Sequence, residues 1–255
     1  MAISRTFTEM ITNPHYNYYS IEGIDGSGKT TVLAEIEKIL SDKDLLNELI
    51  DTTFTNYSQL PSSEDIKEKV YNALYTNCEC LALPSPNGSE YKQIRKLLKE
   101  HKTFGIDRSF ELLARFILDM DEFYFNYLQD DLRLLGKVLI SDRSLVSTFA
   151  YQSKNFSLKE IAKMCHGLKF PKHVFYLNIP VDRAIGRIES RNGTAVDYFE
   201  NKAELTRISK TFKQIFREFN NHKYNKSSVT IIDSYNASPI DIAKHILTVI
   251  IDDIH

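Results

Sequence analysis

Three observations predict an α/β fold, a central parallel β-sheet with helices on both faces. Short segments rich in β-branched and aromatic residues alternate with longer segments of helical periodicity, the pattern that right-handed crossovers require. Two of the short segments, Lys137–Ser141 and Val174–Ile179, are nearly all apolar, as strands buried on both faces are. A glycine-rich stretch, Gly23-Ile24-Asp25-Gly26-Ser27-Gly28-Lys29-Thr30, joins a strand, Tyr18–Ile21, to a helix over Thr30–Leu40. Ligands in such a sheet settle at the carboxyl ends of its strands.

Taken in order, residues 1–17 are polar overall with a break at Asn13-Pro14, and read as a loosely held N-terminal extension; 18–255 reads as a single domain. In the first helix Val32, Leu33, Ile36, Ile39 and Leu40 share one face. Leu45–Phe54 suits helix or strand, whereas Ser62–Tyr75 has helical character with a Ser cap and acidic residues in its first turn. Cys78–Leu83 reads as a strand stopped by the turn-dense Pro84–Gly88, with Cys78 and Cys80 alternating on one side. Tyr91–His101 is a basic amphipathic helix. Ser109–Leu135 carries a long helical pattern closed by Gly136 in the C′ position. After Lys137–Ser141 comes Asp142-Arg143, and after Val174–Ile179 a helix over Val181–Arg191. A helix at about 201–220, a strand at Val229–Ile232 and a helix at Pro239–Ile251 finish the chain.

Composition bounds the function. The chain has 255 residues, 42% hydrophobic and 26% charged, with a formal net charge of -2. That balance gives no reason to expect a nucleic acid or a membrane as partner. Three cysteines form no disulfide framework, no apolar run reaches membrane-spanning length, and no basic, apolar leader is present, so the expected setting is cytoplasmic.

The glycine stretch fits GxxxxGK[ST] in a strand–loop–helix context. There, backbone N–H groups and the helix N-terminus wrap an anion, the Lys reaches the β- and γ-phosphates of a nucleotide, and the Thr hydroxyl faces Mg²⁺. A base-reading Asn-Lys-x-Asp is absent: Asn201-Lys202 and Asn225-Lys226 lack the Asp. No long apolar strand ends in paired carboxylates. The second motif runs instead from Val138 through Ser141-Asp142-Arg143 and Ser147-Thr148-Phe149-Ala150-Tyr151-Gln152.

With that second motif the chain resembles the thymidylate kinase family, P-loop enzymes that move a phosphoryl group from ATP to dTMP. Ile21–Thr31 is similar to the family's first block, and Ser141–Gln152 to its Asp-Arg block. Pro171–Leu177 up to Arg191, then Asp197–Glu200, resembles its sixth strand and lid, and Ile232-Asp233-Ser234 its last strand and turn. The resemblance implies a P-loop kinase fold with a short helical lid at about 183–200, using ATP and Mg²⁺ on small-molecule nucleotide substrates, and working as a homodimer. It implies that Gly23, Gly26, Ser27, Gly28, Lys29, Thr30 and Thr31 hold ATP, with Thr30 and Asp142 toward the metal. Asp25 lies near the acceptor sugar and Arg143 at the acceptor phosphate; Ser147, Tyr151 and Gln152 belong to the same acceptor block, with Tyr151 placed where a 2′-hydroxyl would project. The catalytic Arg that some members carry in the loop is Gly26 here, which passes the role to the lid. Arg183, Arg187 and Arg191 are spaced to share a helical stripe there, and Arg187 and Arg191 join Lys29, Asp25 and Arg143 as expected catalytic residues.

Three departures bear on substrate. Leu83–Gly88 lacks the family's usual Arg, so a phosphate contact is missing or comes from Lys92 or Arg95. On the long helix Phe116 is the candidate to stack on a base, but Asp119, Asp121 or Glu122 stands where the family has a base-reading Arg. A carboxylate accepts and cannot donate to a thymine oxygen; Arg115 substitutes if the register shifts, and otherwise the pocket suits a base with an exocyclic amine. The segment 42–76 is an insertion in the first crossover, and Tyr198 replaces a frequent lid Arg. Two other readings stay open: a kinase of another nucleotide or small molecule, and a nucleotide-binding regulatory protein without efficient transfer.

Overall fold

The structure, a computed structural model, describes residues 5–55, 63–100, 106–190, 198–221 and 226–254. Five parallel strands form one sheet: β1 (His15–Glu22), β2 (Cys78–Ala82), β3 (Val138–Asp142), β4 (Pro171–Asn178) and β5 (Ser228–Asp233), in the order β2-β3-β1-β4-β5. The described helices are α1 (Arg5–Thr12), α2 (Lys29–Ser41), α3 (Lys43–Thr55), α4 (Ser63–Tyr75), α5 (Tyr91–Glu100), α6 (Ile106–Phe123), α7 (Leu145–Gln152), α8 (Leu158–Met164), α9 (Val181–Glu189), α10 (Lys202–Asn221) and α11 (Pro239–Ile254).

Strand side chains alternate between faces, and the two cores divide accordingly. Tyr18, Leu139, Val174 and Tyr176 join the core formed with α1, α5, α6, α7, α8 and α10. Tyr19, Ile21, Val138, Ile140, Phe175 and Leu177 join the core formed with α2, α3, α4 and α11. The sheet is thus covered on both faces, as expected. The insertion residues 43–55 and 63–75 are α3 and α4, so Leu45–Phe54 is helix; both lie against α2 on the second face.

Two expectations need correction, and one helix was not foreseen. Helix α1 is docked, not loose: Phe7, Met10 and Ile11 are buried, and Phe7 meets Phe149 and Phe170 edge-on with ring centres 5.5 Å apart. A short amphipathic helix inside a polar-looking stretch finds an aromatic pocket that only the fold builds. β1 accordingly starts at His15. The long helix stops early: α6 passes into a π-helical turn, Tyr124–Leu128, and ends. Asp131 then accepts from the Arg133 N–H in a local turn, a conformation that competes with helix, and Gly136 (φ 60) closes that turn instead of capping the helix. Finally, α8 escapes the apolar pattern, although Ser157 and Glu160 form a reciprocal capping box at its start.

Candidate active site

The sheet order brings two motifs together. β1 lies beside β3 with Ile21 opposite Asp142, so the loop after β1 and the turn after β3 open side by side at their carboxyl ends. The strand order reverses at β1, the place where α/β sheets leave a crevice.

The glycine loop turns through Gly26 (φ 78) and Gly28 (φ 97) into α2, whose first turn has no side-chain cap at Gly28. Its leading N–H groups are the kind that bind an anion. A Cβ on Gly26 would lie 2.5 Å from the Ala184 carbonyl oxygen of α9, so this position admits no side chain. The Lys29 ammonium donates to the Gly23 and Ile24 carbonyls, each at 3.0 Å. Burial, then the Arg143 charge, pushes its pKa down to about 8 against the pull of Asp142, Asp25 and Glu22. The Thr30 hydroxyl donates to Asp142 Oδ2 at 2.8 Å, while Asp142 Oδ1 is buried with no hydrogen-bond partner among the described residues. Thr31, one residue on, is exposed.

Arg143 adopts a left-handed backbone (φ 75) that costs about 1–2 kcal/mol in a residue with a Cβ. That turn aims its guanidinium at Asp25, to which it donates, with a further bond to the Ser147 hydroxyl at 3.3 Å. The guanidinium stands 4.8 Å from the Tyr151 ring centre, and the Tyr151 hydroxyl donates to Asp25 Oδ2 at 3.0 Å. Asp25, Arg143 and Tyr151 therefore form one bonded unit from three elements. Behind them the buried Glu22 accepts from the Ser144 and Ser147 hydroxyls at the start of α7. Burial raises Glu22 to about 7 even though Ser144, Ser147, Arg143 and Lys29 all favour its charge.

A pocket open to solvent, with about 640 Å³ of empty space counting the solvent at its mouth, opens from this unit. Asp25, Arg95, Phe116, Asp119, Arg143, Ser147 and Tyr151 all line it, together with Leu83, Pro84, Ser144, Thr148 and Phe199. Sequence reasoning missed this second group and Glu22; a polar residue ending an apolar strand was the available signal for Glu22. Arg115 is not among the lining residues, because it pairs with Glu90 at 2.7 Å. Gln152 does not line it either: it is buried in α7 with its Nε2 unpaired among the described residues. Of the three carboxylates weighed on α6, Asp119 faces the cavity, Glu122 accepts from the Ser89 N–H and hydroxyl, and Asp121 is exposed. Lys92 is exposed as well, leaving Arg95 as the α5 cation at the cavity.

On the other side of the loop Arg187 of α9 donates to the Gly26 and Ser27 carbonyls at 3.3 and 3.4 Å, and to the Ser234 carbonyl at 3.2 Å. Arg183 lies 4.9 Å over the Tyr235 ring instead. Arg191 and Asp197 lie outside the described residues. Tyr198 accepts from Lys154 through its hydroxyl.

The sequence profile described as Thymidylate kinase matches residues 64–234, which takes in β2 to β5 and leaves the glycine loop before it. A probable thymidylate kinase of Methanobrevibacter smithii is 28% identical over 208 residues, 80% of this chain and 82% of its own length. A probable thymidylate kinase of Methanococcus aeolicus is 25% identical over 232 residues, covering 91% and 94%. The thymidylate kinase of Buchnera aphidicola subsp. Baizongia pistaciae is 27% identical over 232 residues, covering 88% and 89%. No described helix is long and apolar enough to cross a membrane.

Proposed function

The chain belongs to the thymidylate kinase family, and from that membership we propose that it transfers the γ-phosphoryl group of ATP to the phosphate of dTMP. It is a nucleoside monophosphate kinase. The observation that carries the reading is the meeting, at adjacent strand ends, of a phosphate-binding loop and a cavity headed by Asp25, Arg143 and Tyr151. Donor and acceptor thus approach from either side of one loop.

In this reading the α2 amides and Lys29 hold the donor's phosphates, with Lys29 exchanging its two loop carbonyls for phosphate oxygens. Arg143 holds the acceptor phosphate, Asp25 orients the acceptor sugar, and the Tyr151 ring closes the space beside it. An oxygen of the acceptor phosphate attacks the γ-phosphorus, and the bond to the β–γ bridging oxygen breaks with its electron pair leaving on ADP. Arg187, anchored on the loop carbonyls, places positive charge beside the transferring group. Thr30 and Asp142, whose Oδ1 is buried without a partner among the described residues, fit a Mg²⁺ ion, which when bound neutralises phosphate charge. On the family resemblance alone, we extend the reading to a homodimer at work in the cytoplasm.

Coupled ADP release over a panel of nucleoside monophosphates tests it. Turnover should be highest with dTMP, and Lys29→Ala should lower kcat by roughly 10²–10³-fold. ATP binding without ADP release on any monophosphate would overturn the assignment.

A further inference from the structure

The cavity lining from α6 differs in chemistry from the bonded unit of Asp25, Arg143 and Tyr151. Phe116 and Asp119 stand one turn apart on α6 and both line it, with Leu83, Pro84 and Met120 around them. Asp119 is only 2% exposed. The Ser85 N–H donates to both of its oxygens, at 3.2 and 3.3 Å, and the loop comes so near that a Cβ on Gly88 would lie 2.9 Å from Oδ1. One shared N–H is a small part of what a carboxylate's four lone-pair sites take up. Among the described residues no cation forms an ion pair with Asp119.

The charged surroundings come from several elements. Glu90, just before α5, and Glu122, on α6, both oppose ionisation of Asp119, and Arg115 is already tied to Glu90. Arg95 of α5, Asp25 of the glycine loop, Arg143 after β3 and Tyr151 of α7 line the same cavity, the last three bonded to one another. Burial first, then Glu122 and Glu90, raises the Asp119 carboxyl to about 7 against the Ser85 N–H.

Resting on the reading of this cavity as the acceptor site, we infer that Asp119 reads the 4-position of a pyrimidine stacked beside Phe116, and that its proton selects the base. Protonated, Asp119 donates to a 4-oxo group; ionised, it accepts from a 4-amino group. Ionised Asp119 against a 4-oxo group sets acceptor against acceptor and weakens binding by about ten- to a hundredfold, whereas the protonated carboxyl, which keeps an acceptor oxygen beside its O–H, takes either group.

Equilibrium binding of dTMP, dUMP and dCMP from pH 6 to 8 tests the inference. The phosphate ionises alike in all three and cancels in a ratio of affinities. The preference for dTMP over dCMP should fall by at least about tenfold across that range, as the protonated fraction crosses its midpoint near 7. dUMP should follow dTMP, since both carry the 4-oxo group. Asp119→Asn, which cannot ionise, should make the ratio independent of pH, whereas Asp121→Asn on the exposed side of α6 should keep the slope. A flat ratio in the wild type, or the same slope in Asp119→Asn, overturns the inference. A flat ratio with dTMP turnover intact overturns it alone, a sloping ratio without ADP release overturns only the kinase reading, and no binding of any of the three overturns both.

Discussion

Asp25 is the residue on which the candidate site turns. It sits in the glycine loop yet accepts from Arg143 and Tyr151, so one carboxylate joins the loop to residues that line the cavity. Arg143 reaches it only by holding a left-handed backbone, a strain that the bonds to Asp25 and Ser147 offset. The arginines of α9 separate at this scale too. Arg187 bonds to the loop, whereas Arg183 stacks on Tyr235. Arg187→Ala should therefore lower kcat by roughly 10²–10³-fold with little change in the KM for ATP, and Arg183→Ala by no more than a few-fold. Steady-state kinetics of both variants decide this, and equal losses would contradict it. The stripe of arginines was legible as a spacing. Which one meets the loop was not, because that depends on how α9 lies across it.

At the scale of elements, the close approach of α9 to the glycine loop sets what the loop contains. The Ala184 carbonyl occupies the place where a side chain at position 26 would begin. Gly26→Ala should weaken ATP binding by at least about tenfold and lower Tm by a few degrees, since the left-handed strain alone is about 1–2 kcal/mol. Gly136→Ala is the matched control: φ is also positive, but nothing lies within 4 Å of an added Cβ, so ATP affinity should be unchanged. Isothermal titration with ATP distinguishes them, and equal affinities would sink the steric argument. The loop's motif was plain in the sequence. Its contact with α9 joins segments far apart in the chain, and no local pattern carries that. The docking of α1 was hidden for the same reason, since Phe7 needs the rings of Phe149, Phe170 and Phe219 assembled around it.

Over the whole molecule, the site includes buried carboxyls, and the fold's stability should record it. Glu22 has its pKa raised from 4.5 to about 7 on folding, chiefly by burial. Between those values the native state holds a proton that the unfolded chain has released, so this group's contribution falls as pH rises from about 4.5 to 7. Asp119 acts in the same sense, and the buried His173, pushed down to about 4 by burial, acts in the opposite sense below 6.5. Comparing wild type with Glu22→Gln isolates the one group: the Tm difference should shift in favour of the variant from pH 5 to 8. A difference that does not vary with pH would show that Glu22 folds already ionised. By itself the sequence determined the alternation of strands and helices, the phosphate loop and the Asp-Arg motif, because periodicity and short motifs are local and survive in one dimension. Only the tertiary structure decided that Ile21 and Asp142 lie side by side, that Arg187 rather than Arg183 reaches the loop, that Arg115 is spent on Glu90, and that Asp119 faces the cavity. Those are facts of strand order, burial and desolvation, which exist only once distant segments have packed together.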